Sequence, residues 1–353
     1  FGGIFTPKRT NLKVEGLGDV GLKPFASYNY YVNSDMQDYE GRRVSTKYIL
    51  SPKPSIEFYD MGVWSMKTFS MDIKAPLEGN IKGDIQFIDS SFKGSIENNL
   101  GLNLKDCIVV TTNEYFELGD LEAGQRIEVG SQGRNSYSNG YELMDQIYGN
   151  VYPSGGIQDK DEIEKIRFNN QRRNILSYYF DSQVQRVQGI KLIGWSEVPV
   201  AENILVNGQN LKRYDSTLII ANLKLSQGED NSIELPFGYV EPRMDAERLT
   251  DGSYDNYSNR FYGHGEVEVS YNIDKFVGVE EVRIRMQSPS STTKQFIWNK
   301  GTKDWQQGDF ASYTISGEDI KKYIGDENVL RFKFIISGDG IELPQISVKG
   351  SVK

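Results

Sequence analysis

The sequence predicts a mostly β protein with two antiparallel β-sandwich domains, the second jelly-roll-like, and one amphipathic helix packed on the first. Short apolar–polar alternation bounded by Asn, Gly and Asp recurs along the chain and is clear in Phe92–Gly124. The 353 residues include 35 Gly and 21 Tyr, a composition that favours turns and strands over helices. Only one long segment, Asp159–Ser182, has a helical pattern.

The first domain is predicted to span residues 1–228 and to begin with strands almost throughout. Pro52, Pro54 and Pro76 lie where strands are expected to end, because proline cannot donate to a central β-ladder. The predicted strands are Asn11–Val14, Val20–Tyr31, Arg43–Leu50, Ser55–Tyr59, Trp64–Ile73, Ile81–Ile88, Phe92–Glu97, Cys107–Thr111, Tyr115–Leu118 and Arg126–Val129.

A helical insertion is predicted at about residues 141–182, with a short helix over Glu142–Tyr148 and a longer one over Asp159–Ser182. The longer helix opens with Asp159 and with Glu162 three positions on, which is the capping-box arrangement. Its apolar stripe, expected to lie on a sheet, consists of Ile163, Ile166, Leu176 and Phe180. The alternative is an exposed helix, because the polar segment Asn169–Asn174 interrupts the stripe.

The second domain is predicted to span residues 229–353, after the polar segment Gln227–Ser232. Apolar residues occur most clearly at every second position here, as expected for a sandwich whose sheets each have one solvent-exposed face. Its inward positions are Val267, Val269, Tyr271, Ile273, Val282, Ile284, Met286, Leu330, Phe332, Phe334 and Ile336. About eight strands and a short helix at Glu318–Tyr323 suit a jelly roll.

Before this domain, Asn207-Gly208 predicts a tight hairpin turn.

Composition limits the possible functions. A formal charge of −9 argues against a nucleic-acid-binding protein, which normally carries a basic face. Cys107 is the only cysteine, so an intramolecular disulfide or a Cys-based zinc site is impossible, and its apolar neighbours predict a buried strand position. No run of eighteen apolar residues is present. Because the chain starts at Phe1 without Met, we expect it to be a trimmed part of a longer protein.

The sequence nominates no catalytic residues and no cofactor. His264 is the only histidine and lies between two glycines, without the G-x-S-x-G motif of a hydrolase. Asp251 and Asp255 lie in the loop LTDGSYDNY and are candidates for calcium binding, because carboxylates are hard oxygen ligands. An ordinary polar loop is the alternative.

Trp298 and Trp305 lie in FIWNKGTKDW, across a predicted hairpin, and could form an aromatic platform for a glycan. The alternative is that both indoles fill the sandwich core. Arg283 and Arg285 alternate with core residues on one strand, as do Arg331 and Lys333 on another. If these strands were neighbours, four cations would share one face that could bind an anionic polymer such as teichoic acid; a solvated face is the alternative.

Several phrases carry a resemblance to a known group of proteins. They are GIFTPKRTNLKVEG, PSIEFYDMGVWSMKTFSMD, GSIENNLGLNLKDCIVV, IKLIGWSEVPV, ELPFGYVEPR and FIWNKGTKDWQQ. In this order the chain resembles the soluble C-terminal extracytoplasmic region of uncharacterised multidomain membrane proteins from Gram-positive bacteria. Trp64-Ser65-Met66 and Gly119-Asp120-Leu121 are the most specific elements. The group also carries a glutamine amidotransferase-like region, which is absent here.

The resemblance implies an extracytoplasmic, cell-surface location with membrane attachment through a segment upstream of Phe1. We therefore expect a non-catalytic region of a bacterial cell-envelope membrane protein, with a structural or protein-interaction role. Its expected partners are other envelope proteins or a cell-wall polymer. The alternative is a carbohydrate-binding module that recognises a cell-wall or extracellular glycan, and a carboxylate-based glycan hydrolase is a third possibility.

Overall fold

The protein is mostly β, which confirms the predicted fold class. The computed structural model describes residues 2–17, 20–24, 46–73, 78–130, 132–149, 159–180, 187, 189–198, 204–210, 212, 215–228, 231–245, 249–255, 259–286, 293–325, 327–338 and 340–352. Strands account for 59% of these residues and helices for 13%. Parts of three predicted elements lie outside the described residues: 25–31 and 43–45 of two strands, and 181–182 of the long helix.

The elements are numbered here in chain order. The first strands are β1 (Gly2–Thr6), β2 (Thr10–Gly16), β3 (Val20–Pro24), β4 (Thr46–Ile49), β5 (Ser55–Met61), β6 (Ser65–Ile73), β7 (Ile81–Ile88), β8 (Ser91–Asn98), β9 (Leu104–Val110), β10 (Glu114–Leu121), β11 (Arg126–Val129) and β12 (Arg134–Ser136). Helices α1 (Gly140–Tyr148) and α2 (Lys160–Tyr178) follow. Next are β13 (Ile190–Ser196), β14 (Ile204–Val206), β15 (Thr217–Leu223), β16 (Ser232–Leu235), β17 (Pro242–Asp245), β18 (Leu249–Asp255), β19 (Arg260–Asn272), β20 (Phe276–Arg285), β21 (Lys294–Asn299), β22 (Asp304–Gly308) and β23 (Ser312–Ser316). The last are α3 (Glu318–Tyr323), β24 (Val329–Ser337), β25 (Ile341–Glu342) and β26 (Gln345–Val352).

The chain forms two compact units, and the first is discontinuous in sequence. Unit 1 comprises Phe1–Glu78 and Glu197–Thr217, and unit 2 comprises Gly79–Ser196 and Leu218–Lys353. The predicted domain boundary between residues 228 and 229 falls inside unit 2, between two of its hydrophobic cores.

The described residues of unit 1 form two antiparallel sheets, with strand orders β1-β6-β3 and β14-β2-β5-β4. Its buried core consists of Ile4, Val14, Leu22, Ile56, Phe58, Met61, Phe69 and Val206. After β14 the chain reverses at Asn207-Gly208, where both residues have positive φ (50° and 74°) and Val206 bridges Gln209. These angles suit a tight hairpin turn, which the Asn-Gly pair predicted.

In the first part of unit 2, the residues that the structure describes form two sheets and a helical layer. Its sheets have strand orders β12-β10-β9-β13-β15 and β11-β8-β7. On β9, Cys107 and Val109 point into the core between the sheets, whereas Ile108 and Val110 point into the core under the helices. The strand is therefore buried on both faces, and the predicted burial of Cys107 is confirmed.

Helices α1 and α2 cover the outer face of this sheet. Asn139 caps α1 by accepting a hydrogen bond from the Glu142 backbone N at 3.0 Å. Asp159 caps α2, as predicted, by accepting from the Asp161 backbone N at 2.8 Å. Leu176 and Phe180 are buried, but Ile163 and Ile166 are only partly buried. The apolar contact with the sheet therefore lies at the C-terminal end of α2, at Leu176, and just beyond the helix, at Phe180.

The second part of unit 2 packs the sheet β16-β26-β20-β23 against a seven-stranded sheet. The larger sheet has the order β17-β19-β24-β21-β22, with β18 and β25 also paired to β19. All the predicted inward positions belong to its buried core, which confirms the period-two pattern. Helix α3 has the predicted bounds.

Buried polar contacts join the two parts of unit 2, at a contact we call the junction. Asn113 and Gln345, both buried, hydrogen-bond to each other through their side chains. Thr112 Oγ1 donates to the Gly238 carbonyl at 3.0 Å. Leu225 and Tyr239 pack against both adjoining hydrophobic cores. The two parts therefore form one continuously packed body.

The structure does not form the four-cation face that neighbouring strands would have produced. Arg283 and Arg285 lie on β20, which pairs with β23 and β26, whereas Arg331 and Lys333 lie on β24, which pairs with β19 and β21. The two pairs therefore belong to different sheets. Arg283 and Arg285 contribute instead to the junction: Arg283 Nη1 donates to Ser90 Oγ at 2.8 Å, and Arg285 Nη1 lies 3.8 Å from Glu114 Oε1.

Candidate functional site

The outer face of the seven-stranded sheet carries a cluster of aromatic and cationic side chains. We call Phe296, Trp298, Trp305, Arg331 and Lys333 the cation–aromatic face. All five are partly buried. Four of them alternate along β21 and β24 with residues of the sandwich core, such as Ile297 and Phe332, and Trp305 lies opposite Trp298 on β22. The pleat of the strands therefore directs them away from the core.

Trp298 and Trp305 lie directly opposite each other in the β21–β22 pair. Their ring centroids are 5.2 Å apart and the ring planes meet at 66°, an edge-to-face contact. Such aromatic pairs contribute about 0.5–1.5 kcal/mol beyond the burial of their area. The predicted hairpin is thus present, and the indoles lie on the outer face of the sandwich rather than in its core.

The two cations lie over these rings. The Arg331 guanidinium carbon is 5.4 Å from the Trp298 centroid and 5.6 Å from the Trp305 centroid. Lys333 Nζ is 5.0 Å from the Trp305 centroid. Arg331 also donates to Glu268 Oε2 at 2.7 Å, which fixes the position of the guanidinium. Cation–π contacts of this kind contribute about 0.5–1 kcal/mol at exposed sites.

The two indoles do not form one flat platform, which bears on what this face could contact. A sugar stacks on an open, flat aromatic face, but here the two indoles are steeply inclined and cations cover part of the rings. Trp and Arg are the residues most enriched among those that dominate protein–protein binding energies. The ring contacts and the ion pair order these side chains before any partner arrives, which reduces the entropy cost of binding.

The structure places Asp251 and Asp255 apart on the same strand. They are four residues apart on β18, which corresponds to about 13 Å. Asp251 Oδ1 lies 3.3 Å from His264 Nδ1, and Asp255 is opposite Arg260. No group of three or more His, Cys, Asp or Glu within the described ranges could hold a metal ion. Calcium binding by Asp251 and Asp255 stays a prediction.

A groove of about 500 Å³ lies on the first part of unit 2. Charged side chains of both signs line it: Lys82, Asp84, Glu97, Arg126 and Lys224. Glu97 lies opposite Lys82 on β7 and opposite Arg126 on β11, so that unlike charges are neighbours across the strands. Opposite-charge pairs of this kind stabilise a sheet face. The groove therefore has the charge pattern of a solvated strand face.

The sequence did not single out Arg172 of α2, which the structure buries. Its guanidinium carbon lies 4.1 Å from the centroid of Phe168 and 5.0 Å from that of Trp195. Arg172 Nη1 also donates to the Asp106 carboxylate. Trp195 Nε1 in turn donates to the Tyr148 hydroxyl at 3.0 Å. The cluster attaches both helices to the sheet. The pattern of apolar residues along α2 does not reveal this cluster, because the residue at its centre, Arg172, is charged.

The comparisons with known proteins give two separate matches, and the first of them also covers the 197–217 segment of unit 1. Residues 80–226 match the model of a domain of unknown function, DUF8725. Residues 234–350 match the model of a second domain of unknown function, DUF8815. A search of curated proteins found no match. Among the residues that the structure describes, no helix is both long and apolar enough to cross a membrane.

Proposed function

We propose that this chain is a non-catalytic extracytoplasmic region of a bacterial cell-envelope membrane protein that docks another envelope protein through its cation–aromatic face. The observation that carries the proposal is the Trp298–Trp305 pair held under Arg331 on the outer face of a sandwich. The cell-surface location, and attachment through a segment upstream of Phe1, rest on the sequence resemblance alone.

The junction supports the docking proposal because it makes the face part of a larger packed body. Buried hydrogen bonds and shared apolar contacts tie the sandwich that carries the face to the preceding part of unit 2. A partner bound at the face would therefore be held in a fixed orientation to the first part of unit 2. Fixed orientation is what a structural or docking role requires.

Site-specific photo-crosslinking tests this function. Trp305 is replaced by the photoreactive residue benzoylphenylalanine in the membrane-attached protein, and crosslinking is carried out in intact cells. The matched control carries the same residue at Val277, which is 62% exposed and lies on β20 of the other sheet. We expect a discrete adduct with one envelope protein from position 305 only. The adduct should be lost when Arg331→Ser and Lys333→Ser are added.

No adduct at position 305, or the same adducts at both positions, would contradict the docking proposal. A circular dichroism spectrum and a thermal unfolding curve establish that the serine variants are folded. This is expected, because both cations are partly exposed and their replacement opens no core.

Carbohydrate binding is the second candidate function, since the same indoles are partly exposed on a sandwich face. Retention on purified peptidoglycan or teichoic acid tests it. Retention that Trp305→Ala reduces, with no protein adduct, would favour glycan binding over protein docking. If nothing is retained on any polymer, the glycan proposal fails.

A further inference from the structure

One end of unit 1 exposes a group of large apolar side chains. We call Phe5, Val63, Trp64 and Met66 the apolar tip. Their exposed fractions are 54%, 57%, 71% and 62%, respectively. Phe5 lies opposite Met66 in the β1–β6 pair, and its ring centroid is 5.6 Å from that of Trp64. Phe5, Trp64 and Met66 are therefore neighbours on one surface, and Val63 precedes Trp64 in the same turn.

The backbone of Trp64 is strained. Its φ is 60°, in the left-handed region, where the Cβ of a bulky residue meets steric conflict. Glycine or asparagine adopts this conformation at lower cost. The turn between β5 and β6 thus carries a large indole at a position where a small residue would give a more stable fold. Strain of this kind is concentrated at functional sites.

The charge beside the apolar tip is positive. Thr6 lies opposite Ser65, so the turn after β1 is adjacent to the turn before β6. That first turn contains the exposed Lys8. Arg9 contacts Asp60 at 2.7 and 3.0 Å, and the charges of this pair offset each other. Lys8 has no ion pair among the described residues, so it adds a positive charge beside the tip of a chain whose formal charge is −9.

We propose that the apolar tip inserts into the interfacial layer of an anionic lipid bilayer. Tryptophan favours this layer because its ring is apolar and its N–H can remain hydrated. A turn that presents Phe, Val, Trp and Met together can bury these side chains among headgroups and the first acyl carbons. A basic residue at the membrane surface adds electrostatic attraction to anionic lipid. The tip belongs to unit 1, so this inference does not depend on the cation–aromatic face.

Vesicle flotation tests the inference. The purified chain is mixed with phosphatidylcholine vesicles that contain, or lack, phosphatidylglycerol. We expect binding to the anionic vesicles, with a blue shift of tryptophan fluorescence. Trp64→Gly should weaken that binding about tenfold, because it removes the largest inserted side chain. Lys8→Glu should weaken binding to the anionic vesicles only.

Trp64→Gly is a suitable variant because glycine tolerates φ = 60°, so the fold should be retained or stabilised. Val277→Ala is the matched control, because Val277 is 62% exposed but lies in unit 2. It should bind vesicles like the original chain. Crosslinking from position 305 should be unchanged by Trp64→Gly, which separates the two proposals.

Three results would overturn the inference. The first is no flotation of the original chain with anionic vesicles. The second is equal binding by the original chain and Trp64→Gly. The third is self-association of the original chain, measured by light scattering, that Trp64→Gly abolishes, because the tip would then be an interface between copies of this chain.

Discussion

Asn113 and Gln345 exchange two hydrogen bonds through their side-chain amides. Asn113 Nδ2 donates to Gln345 Oε1 at 2.5 Å, and Gln345 Nε2 donates to Asn113 Oδ1 at 3.1 Å. Both residues are almost fully buried, at 3% and 4% exposed, and 232 positions separate them in sequence. This reciprocal pair fixes the register of the junction, because neither amide can rotate without losing a buried hydrogen bond.

Replacing only one of the two amides should lower the free energy of unfolding by more than half of what replacing both would. Asn113→Leu removes the acceptor of the buried Gln345 Nε2, so we expect a loss of about 1–3 kcal/mol in the free energy of unfolding, measured by urea denaturation. Gln345→Leu should behave similarly. The double variant should lose less than the sum of the two, whereas additive losses would contradict coupling. Gln307→Leu, at an exposed position, is the control and should change stability little.

Stability should fall in alkaline solution because of Cys107. Burial, with smaller contributions from the charges of Asp120 and Asp106, raises the pKa of its thiol from 9.0 to about 12. Between these values the unfolded chain releases the proton while the folded chain keeps it. The free energy of unfolding therefore decreases by about 1.4 kcal/mol per pH unit from this group. Below pH 9 both states keep the proton and the group has no effect.

Cys107→Ala isolates this contribution from those of tyrosines and lysines, which also titrate at high pH. We expect a shallower loss of stability for the variant than for the original chain between about pH 9 and pH 11. Identical slopes in urea denaturation would contradict the prediction. A thiol reagent at neutral pH should react with Cys107 only after unfolding.

Gly194 on β13 should be coupled to Cys107. A Cβ at position 194 would lie 2.9 Å from Cys107 Sγ and 3.4 Å from Leu104 Cβ. Gly194→Ala should therefore destabilise the protein by about 1–3 kcal/mol through overpacking. In a Cys107→Ala background the same change should cost less, because the conflicting sulfur is gone. An equal cost in both backgrounds, measured by thermal unfolding, would show that the sulfur is not the obstacle.

Arg172 should stabilise the helical layer mainly through its packing. Its side chain is 6% exposed, whereas that of Asp106 is 66% exposed and can be hydrated without a partner. Arg172→Ala should lower the free energy of unfolding by about 2–4 kcal/mol, through a cavity and lost ring contacts. Arg172→Met, which keeps the length, should lose about half as much. Asp106→Asn should have a small effect; a loss equal to that of Arg172→Ala would indicate that the ion pair dominates.

Local sequence patterns correctly predicted the features that depend on neighbouring residues alone. Asn207-Gly208 predicted a turn because these two residues accept positive φ, and α3 was predicted with its observed bounds. Period two in β19 and β24 identified the core of the last sandwich because alternate residues of a strand face opposite sides. The burial of Cys107 was predicted from its apolar neighbours in sequence.

Features that depend on distant parts of the chain were missed. Trp64 was predicted to begin a strand, but the structure places it in a turn, exposed, in a left-handed conformation. Nothing within a few residues indicates that Phe5 lies beside it, because the contact depends on strand pairing. The sequence around Asn113 and around Gln345 does not indicate that the two side chains hydrogen-bond to each other either. Trp298 and Trp305 were found because one hairpin joins them, but the cations over them come from β24, some 30 residues on.

The split composition of unit 1 has a consequence for the order in which the protein is made. Strand β14 completes a sheet begun by β2, and Val206 enters the same core as Val14. During synthesis the N-terminal strands therefore cannot complete their sheet until residues 197–217 have emerged from the ribosome. The intervening residues can begin to fold before then. A pause or truncation before that point would leave one edge of β2 unpaired, and an unpaired edge makes the nascent chain prone to aggregation.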